Sequence, residues 1–230
     1  MAFEGLRGIG SDPKTLQSGS LCCRVYYNNT RYMLTSRHVI SGNVCNVPGV
    51  TGDSYGWGRS GNDEKAEYLG DVEAVFTEYD AALLSIRFPK YDDISNRIVG
   101  EPSAEVVGRV TGDGIDVLQS EPVGKTYKRG RTTCKQSGTI QRARIHFDTN
   151  CFFGDEPQEE LRQVRTSATQ KDGDSGGVGY IRRNDSSGPD DLYVLHMTTR
   201  ATPDNSEAQG SSAQVMHEKS GFSFGYDPFY

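Results

Sequence analysis

No long stretch of this chain carries apolar residues at the three- and four-residue spacing of an amphipathic helix. Glycine is abundant, at 27 of 230 residues, and Tyr, Val and Thr are frequent between the glycines. Aromatic and β-branched residues favour pleated strands, and glycine favours the turns that join them. A chain of this length can bury a substantial core as one compact unit or as two small barrels. The pattern therefore predicts an all-β protein.

The clearest hairpin lies near the N-terminus. Residues 20–27 form a strong strand pattern, residues 28–30 (Asn-Asn-Thr) are a turn sequence, and residues 31–35 return as the second strand. His38 follows the returning strand, so we expect it at an edge of the sheet, where a polar side chain can leave the core.

A carboxylate stands at the start of a buried strand. Residues 66–76 have alternating strand character, and residues 81–86 (Ala-Ala-Leu-Leu-Ser-Ile) are apolar on both faces, as a buried strand is. Asp80 directly precedes this run, with no cation beside it in sequence. Because a buried carboxylate is costly unless it is paired, Asp80 needs a partner from elsewhere in the fold.

The remaining chain divides into a connection and a second strand-rich half. Residues 98–120 are punctuated by glycine and indicate a connection, and strand patterns return over residues 122–147 and 192–199. Residues 213–219 are predicted to form a short closing helix that ends at Gly221.

Charge and hydropathy exclude two classes of partner. The net charge is −6 and the Lys and Arg residues are scattered among acids, so no nucleic-acid-binding surface is predicted. The small basic run at residues 128–131 (Lys-Arg-Gly-Arg) is predicted to be a solvated strand end. No apolar run is long enough to span a membrane, and the first residues lack the regions of a signal peptide. We expect no nucleic-acid or membrane partner and a cytoplasmic location.

The five cysteines fit a reducing compartment better than a complete secreted disulfide framework, because at least one is unpaired. None of them shows the C-x-x-C spacing of zinc ligands: Cys22, Cys23, Cys45, Cys134 and Cys151. His146 and His217 also lack metal-type companions. The sequence predicts no metal site and no cofactor.

The sharpest chemical signal is Gly-Asp-Ser-Gly-Gly at residues 173–177. Small residues on both sides of Ser175 allow a tight turn that exposes the hydroxyl while backbone N–H groups converge on one point. Such a turn suits an oxyanion hole. Taken alone, it is also compatible with a Gly-rich surface turn.

Three segments together resemble the chymotrypsin/trypsin-like serine protease family, in particular its bacterial-type members. Residues 33–39 (Met-Leu-Thr-Ser-Arg-His-Val) are similar to the family's histidine segment, residues 80–84 to its aspartate segment and residues 173–177 to its serine segment. The order is the family's own, with separations of 80−38=42 and 175−80=95 residues. Residues 130–133 (Gly-Arg-Thr-Thr), followed by Gly-Thr-Ile at 138–140, resemble the first hairpin of the family's second barrel.

The resemblance implies an all-β fold of two six-stranded antiparallel Greek-key barrels with a short C-terminal helix. The N-terminal barrel, with the histidine and the aspartate, is expected to span residues 1–98. An inter-barrel connection is expected over residues 99–120, and a C-terminal barrel with the serine over residues 121–230. The active site is then expected in the cleft between the barrels.

The resemblance also implies a serine endopeptidase that acts on protein or peptide substrates without a cofactor. Ser175 Oγ would attack the scissile carbonyl, His38 would carry the proton to the leaving amine, and Asp80 would orient the imidazole. The backbone N–H groups of Gly173 and Ser175 would hold the oxyanion.

Activation is a point of departure from the family pattern. Members activated by proteolysis pair the aspartate beside the nucleophile with a new Ile-Val-Gly-Gly-like N-terminus, and residues 7–10 (Arg-Gly-Ile-Gly) do not match that sequence. We therefore expect Asp174 to have another partner. The enzyme would be made without trypsin-style activation, or would be controlled by a regulatory protein or a fused domain.

The resemblance also bears on specificity. Thr169 falls at the base of the specificity pocket and lacks the charge that selects Lys or Arg. Residues 194–198 (Val-Leu-His-Met-Thr) resemble a segment of glutamyl endopeptidases and glutamine-selective relatives in which a histidine reads the substrate. His196 with Thr169 would then recognise an acidic or amide P1 side chain. The alternative for His196 is an ordinary strand histidine with local hydrogen bonds.

Two other functions fit the sequence. A catalytically silent protease fold could bind peptides or proteins by strand addition near residues 195–199. An esterase or acyl transferase would keep the triad, although the lack of βαβ units disfavours the usual esterase fold.

The cysteines around His38 have two possible states. In many secreted relatives a disulfide brackets the catalytic histidine, and Cys22 or Cys23 with Cys45 would bracket His38 here. Buried free thiols are the favoured state.

Overall fold

A computed structural model describes residues 6–8, 18–41, 54–57, 67–85, 96–98, 100–101, 103–121, 124–145, 163–183, 190–225 and 227–229. Cys45, His146 and Cys151 lie outside the described residues, as do parts of the ranges named above, such as residues 9–10 and 86.

The N-terminal part of the described chain is a seven-stranded antiparallel sheet. Its strands are β1 (Leu6–Gly8), β2 (Ser18–Gly19), β3 (Arg24–Tyr27), β4 (Thr30–Ser36), β5 (Ser54–Trp57), β6 (Glu67–Phe76) and β7 (Ala81–Ser85). They lie in the order β2-β1-β5-β6-β7-β4-β3. A short helix, α1 (Arg37–Ser41), follows β4, and a 3-10 turn (Thr77–Tyr79) separates β6 from β7.

The pairing of β4 with β7 places the candidate histidine beside the candidate aspartate. The two strands are antiparallel, and Ser36 at the end of β4 lies opposite Ala81 at the start of β7. His38 follows the first of these residues and Asp80 precedes the second, so the register brings both to the same end of the strand pair. The predicted β3–β4 hairpin therefore delivers His38 as expected, although the residue lies in α1.

The C-terminal part is a nine-stranded sheet with two helices. Its elements are β8 (Glu105–Val110), α2 (Gly112–Ser120), β9 (Thr126–Gly130), β10 (Cys134–Gly138), β11 (Ile140–Ile145), β12 (Gln163–Thr166), β13 (Val178–Arg183), β14 (Asp191–Ala201), β15 (Ala208–Ser212), α3 (Ala213–Ser220) and β16 (Asp227–Phe229). Seven strands lie in the antiparallel order β10-β9-β13-β14-β15-β12-β11. β8 pairs in parallel with β14 and with β16.

The all-β prediction with a short C-terminal helix is confirmed. Ser212 Oγ caps the start of α3 by accepting the Val215 N–H at 3.1 Å, and Gly221 ends the helix with φ +72°. Within the described residues the sheets contain seven and nine strands, more than the expected six each, because short strands such as β1, β2 and β16 extend them. The segment 99–120, predicted as a connection, contains β8 and α2.

One hydrophobic core joins the two parts of the chain. Phe222, which follows α3, is fully buried, and its ring centroid lies 4.9 Å from that of Phe76 and 5.6 Å from that of Tyr27. The backbones of Tyr26 and Ser223 exchange hydrogen bonds of 2.8 and 2.9 Å beside this cluster. Since the C-terminal segment is packed into the first sheet, the two sheets are fixed relative to each other. Among the described residues, no helix combines the length and the apolar character needed to cross a membrane.

Candidate active site

Asp80 has in His38 the partner that its burial requires. The carboxylate has no exposed surface, and its Oδ2 lies 2.5 Å from His38 Nδ1 while its Oδ1 accepts the His38 backbone N–H at 3.0 Å. The Asp80 carbonyl also accepts the Arg37 N–H at 2.7 Å. Asp80 adopts φ +54°, a left-handed conformation that asparagine and aspartate tolerate better than most residues. These bonds fix the plane of the imidazole and commit Nδ1 to the carboxylate.

Ser175 lies in a turn that only glycine-rich sequence can form. Its neighbours Gly173 and Gly176 have φ +91° and +85°. A Cβ atom at Gly176 would clash with the Ser20 carbonyl oxygen, so this glycine also permits a close backbone approach. Ser175 Oγ donates to the Thr199 carbonyl at 3.2 Å. The turn thus presents the serine hydroxyl beside the end of β14.

Shared hydrogen bonds hold the serine turn against the histidine segment. The Thr198 carbonyl accepts both the Gly176 N–H at 2.8 Å and the Ser36 Oγ hydroxyl at 3.0 Å. The Ser20 N–H donates to the Ser175 carbonyl at 2.7 Å. Ser36 is two residues before the candidate histidine, so the segments that carry the histidine and the serine meet although they come from different sheets.

Asp174, beside the serine, is buried and accepts five hydrogen bonds from described residues. Its Oδ2 accepts hydrogen bonds from Lys128 Nζ at 2.6 Å, from Thr133 Oγ1 at 2.7 Å and from the Lys171 N–H at 3.1 Å. Its Oδ1 accepts the backbone N–H groups of Thr132 and Thr133 at 2.8 and 3.0 Å. Burial alone would raise the pKa of this carboxyl, but Lys128 and Thr133 hold it below its ordinary value. Asp174 is therefore an anchored carboxylate.

The prediction of a solvated strand end at residues 128–131 is wrong for Lys128. Its side chain is 1% exposed because it points to Asp174, and its Nζ also donates to Thr133 Oγ1 at 2.8 Å. Burial lowers the pKa of Lys128, and the charge of Asp174 opposes that change. Sequence reasoning missed this residue. The available signal was that Asp174 had no matching N-terminal partner and so required a cation from elsewhere.

Thr169 and Gly173 lie in the same loop as the serine. Thr169 is half-buried, and its carbonyl oxygen lies 3.4 Å from Thr133 Oγ1, whose single proton is donated to Asp174. The structure therefore groups Thr169, Gly173 and Ser175 on the segment that Asp174 anchors.

His196 lies in the interior of the second sheet, with no exposed surface. Its ring packs against Gly179 and Gly210, where any larger side chain would overlap it. Burial and the nearby Lys128 lower the pKa of His196 to about 4, so the ring is neutral at neutral pH. The Met197 backbone beside the ring acts on this pKa in the opposite direction. Among the described residues, no hydrogen bond of ordinary geometry reaches either ring nitrogen or Thr198 Oγ1 on the same strand.

Three cysteines among the described residues are free thiols. Cys22 and Cys23 are buried free thiols and Cys134 is an exposed one, which confirms the favoured state for the first two. Burial raises the pKa of the Cys22 thiol.

In the part of the chain that the structure describes, no group of three or more His, Cys, Asp or Glu side chains could hold a metal ion.

Solved structures with the same architecture cover nearly the whole chain. A glutamic-acid-specific serine protease, described as using a histidine triad in substrate binding, aligns with a TM-score of 0.61 and 17% identity over 97% of this chain and 100% of its own. This chain has the chymotrypsin-like serine protease fold. Thermobifida fusca protease A aligns with a TM-score of 0.58 and 15% identity over 98% of both chains, and Nocardiopsis protease with 0.56 and 17% over 97% and 98%.

The chymotrypsin-like fold predicted from the three motifs is thereby confirmed. No family model and no curated protein sequence matches this chain. At identities of 15–17% the structural likeness establishes the fold alone.

Replacing Lys128 by Met should strongly destabilise the protein. The substitution leaves the Asp174 carboxylate buried without its cation, so we expect the free energy of unfolding at pH 7 to fall by about 3–5 kcal/mol. Urea unfolding followed by circular dichroism measures this change. Lys125→Met, at an exposed lysine next to the same strand, should change the value by less than about 0.5 kcal/mol.

The loss should also depend on pH. The folded-state pKa of Asp174 lies below its unfolded value of about 3.9, so its contribution is present above that pH and is lost as pH falls through the folded pKa. The difference between wild type and Lys128→Met should therefore shrink below about pH 4. Equal, small effects of Lys128→Met and Lys125→Met at pH 7 would contradict a buried ion pair.

Proposed function

We propose that this protein is a serine endopeptidase that hydrolyses peptide bonds through His38, Asp80 and Ser175. The observation that carries the proposal is the buried contact of 2.5 Å between His38 Nδ1 and Asp80 Oδ2. It occurs in a fold whose solved examples are serine proteases, which supports a peptidase acting on proteins or peptides. The bonds that join the serine turn to the histidine segment add further support.

The proposed reaction follows from the roles of these groups. Ser175 Oγ rotates away from the Thr199 carbonyl and attacks the scissile carbonyl carbon while its proton passes to His38 Nε2. Asp80 stabilises the imidazolium that forms, and the N–H groups of Gly173 and Ser175 hold the oxyanion. His38 then protonates the leaving amine, and a water molecule hydrolyses the acyl-enzyme by the same route.

The partner of Asp174 supports activity without trypsin-style processing. Lys128 supplies within the chain the cation that a newly formed N-terminus supplies in proteolytically activated members of the fold. The serine turn is then ordered as soon as the chain has folded. A regulatory protein or a fused domain, if the enzyme has one, would act by disturbing this anchored turn.

For specificity we propose an acidic or amide P1 side chain, read by His196 with Thr169. The ring nitrogens of His196 and the hydroxyl of Thr198 make no hydrogen bond of ordinary geometry among the described residues, so they are available to a polar group. Because the ring has no exposed surface, a P1 side chain reaches it only if the packing around the ring opens. Thr169 lies in the loop that carries the nucleophile and offers no charge to a Lys or Arg side chain. Since His196 is neutral at neutral pH, an amide is bound there without a counter-charge.

Labelling with a fluorophosphonate probe tests the nucleophile. We expect stoichiometric labelling of the folded wild type, and a Ser175→Ala variant that is not labelled and whose kcat falls by at least about 10⁴-fold because no acyl-enzyme can form. Ser137→Ala, at an exposed serine on β10, should keep full labelling. Folded wild-type protein that is neither labelled nor active would instead indicate a catalytically silent peptide-binding module.

The pH dependence of P1 preference tests His196. A carboxylate bound beside His196 favours its protonated form, so the ratio of kcat/KM for matched P1-Glu and P1-Gln peptides should rise as pH falls from 8 to 5. The ratio cancels the common titration of the general base. In a folded His196→Leu variant the ratio should no longer rise, and cleavage after Lys or Arg in the wild type would contradict the assignment of the pocket.

A further inference from the structure

We propose that two hydroxyl groups, Thr132 Oγ1 and Ser20 Oγ, are positioning groups that hold the oxyanion hole open. The inference rests on the proposed function, because it concerns the N–H of Gly173 as an oxyanion donor. Neither residue contacts the reacting atoms in this account. Both act on the two peptide planes that meet at Gly173.

The first plane is the peptide between Asp172 and Gly173, which carries the donor N–H. Thr132 Oγ1 donates to the Asp172 carbonyl at 2.6 Å. A trans peptide is planar, so its C=O and N–H point in opposite directions, and the described chain contains no cis peptide. The bond from Thr132 therefore fixes the direction of the Gly173 N–H as well as that of the carbonyl.

The second plane is the peptide between Gly173 and Asp174. Ser20 Oγ donates to the Gly173 carbonyl at 2.9 Å and accepts the Arg131 N–H at 2.8 Å. Because a hydroxyl has a single proton, the bond from Arg131 leaves that proton to Gly173. The Asp174 N–H on the same plane donates to the Lys171 carbonyl at 3.0 Å. Both planes that flank Gly173 are thus held from outside the turn.

Gly173 would otherwise be free to change conformation. It has φ +91°, a value that glycine adopts as readily as its negative counterpart, and a Cβ atom at this position would lie 2.5 Å from Thr132 Oγ1. Rotation of the Asp172–Gly173 plane by about half a turn would direct the Asp172 carbonyl into the hole and the N–H away from it. The rotated oxyanion hole would lack the Gly173 N–H donor, and the partial negative charge of the Asp172 carbonyl oxygen would repel an oxyanion there.

The two hydroxyls are themselves positioned by the anchored aspartate. The Thr132 backbone N–H donates to Asp174 Oδ1 at 2.8 Å. This bond fixes the Thr132 backbone, and so keeps its side chain within reach of the Asp172 carbonyl. Arg131, which orients the Ser20 hydroxyl, is the preceding residue of the same turn. The turn after β9 therefore binds the nucleophile loop twice, once through the buried carboxylate and once through the peptide that forms the hole.

The test compares Thr132→Val with Thr132→Ser in two readouts. Val keeps the branched shape and the backbone N–H to Asp174 but cannot donate to the Asp172 carbonyl, whereas Ser keeps the donor. High-resolution crystal structures of the wild type and both variants report the orientation of the Asp172–Gly173 peptide, and this readout needs no activity. We expect the peptide to be rotated in Thr132→Val, and unchanged in Thr132→Ser.

Steady-state kinetics on a peptide substrate give the second readout. We expect kcat of Thr132→Val to fall by about 10-fold or more, up to the 10²–10³-fold loss typical of removing an oxyanion donor, while KM stays within about twofold. Thr132→Ser should retain most of the activity. Ser20→Ala should show the same kinetic pattern, and Thr139→Val, whose hydroxyl is bonded to the Gln141 side chain on the far end of the hairpin, should resemble the wild type.

The outcomes separate this inference from the proposed function. An unrotated peptide in Thr132→Val, or an unchanged kcat in an active enzyme, overturns the positioning role and leaves the endopeptidase intact. A rotated peptide in a protein whose wild type neither labels nor hydrolyses peptides supports the positioning role and overturns the endopeptidase.

Discussion

The geometry of the proposed catalytic site depends on the buried carboxylate of Asp174. It stands next to Ser175, and its five hydrogen bonds come from a strand, a hairpin turn and its own loop. A carboxylate in this environment must be paired, and Lys128 pairs it from within the chain. Because Asp174 is part of the serine turn, the charges of Lys128 and Asp174 stay paired only while the turn keeps this conformation. A turn that moved away would leave both charges unpaired, so the folded state favours the arrangement that the chemistry requires.

The second requirement is that two sheets meet at one point with little freedom. The aromatic cluster around Phe222 fixes the C-terminal segment to the first sheet. At the candidate active site, the Thr198 carbonyl accepts hydrogen bonds from Ser36 in the histidine segment and from Gly176 in the serine turn. The proposed general base, His38, and the proposed nucleophile, Ser175, are carried by different sheets, so these bonds set their separation. Preorganisation of this kind is what a charge-stabilising site needs, since it avoids rearrangement during the reaction.

The sequence predicted the local parts of the site well, and the long-range parts poorly. The strand pattern of residues 20–35 and the buried run after Asp80 predicted the two strands, but the pairing of His38 with Asp80 was implied only by the family resemblance. The β4–β7 register that places them together is seen in the structure. Lys128 was predicted to be solvated as part of a small basic run, and the carboxylate that it pairs with lies 46 residues away in sequence. The bonds from Thr132 and Ser20 to backbone carbonyls span 40 and 153 residues. A hydroxyl that binds a carbonyl leaves no trace in residue type or spacing, so such contacts emerge only from the fold.

The most direct test of this account is a crystal structure of the wild-type protein after reaction with a peptidyl phosphonate. The proposed mechanism predicts phosphorus bonded to Ser175 Oγ and a phosphonyl oxygen about 2.7–3.1 Å from the N–H nitrogens of both Gly173 and Ser175. It also predicts that the pair between Lys128 and Asp174 is unchanged by the reaction. An adduct whose oxygen is turned away from Gly173, or a structure in which the Asp172 carbonyl fills that position, would contradict the account.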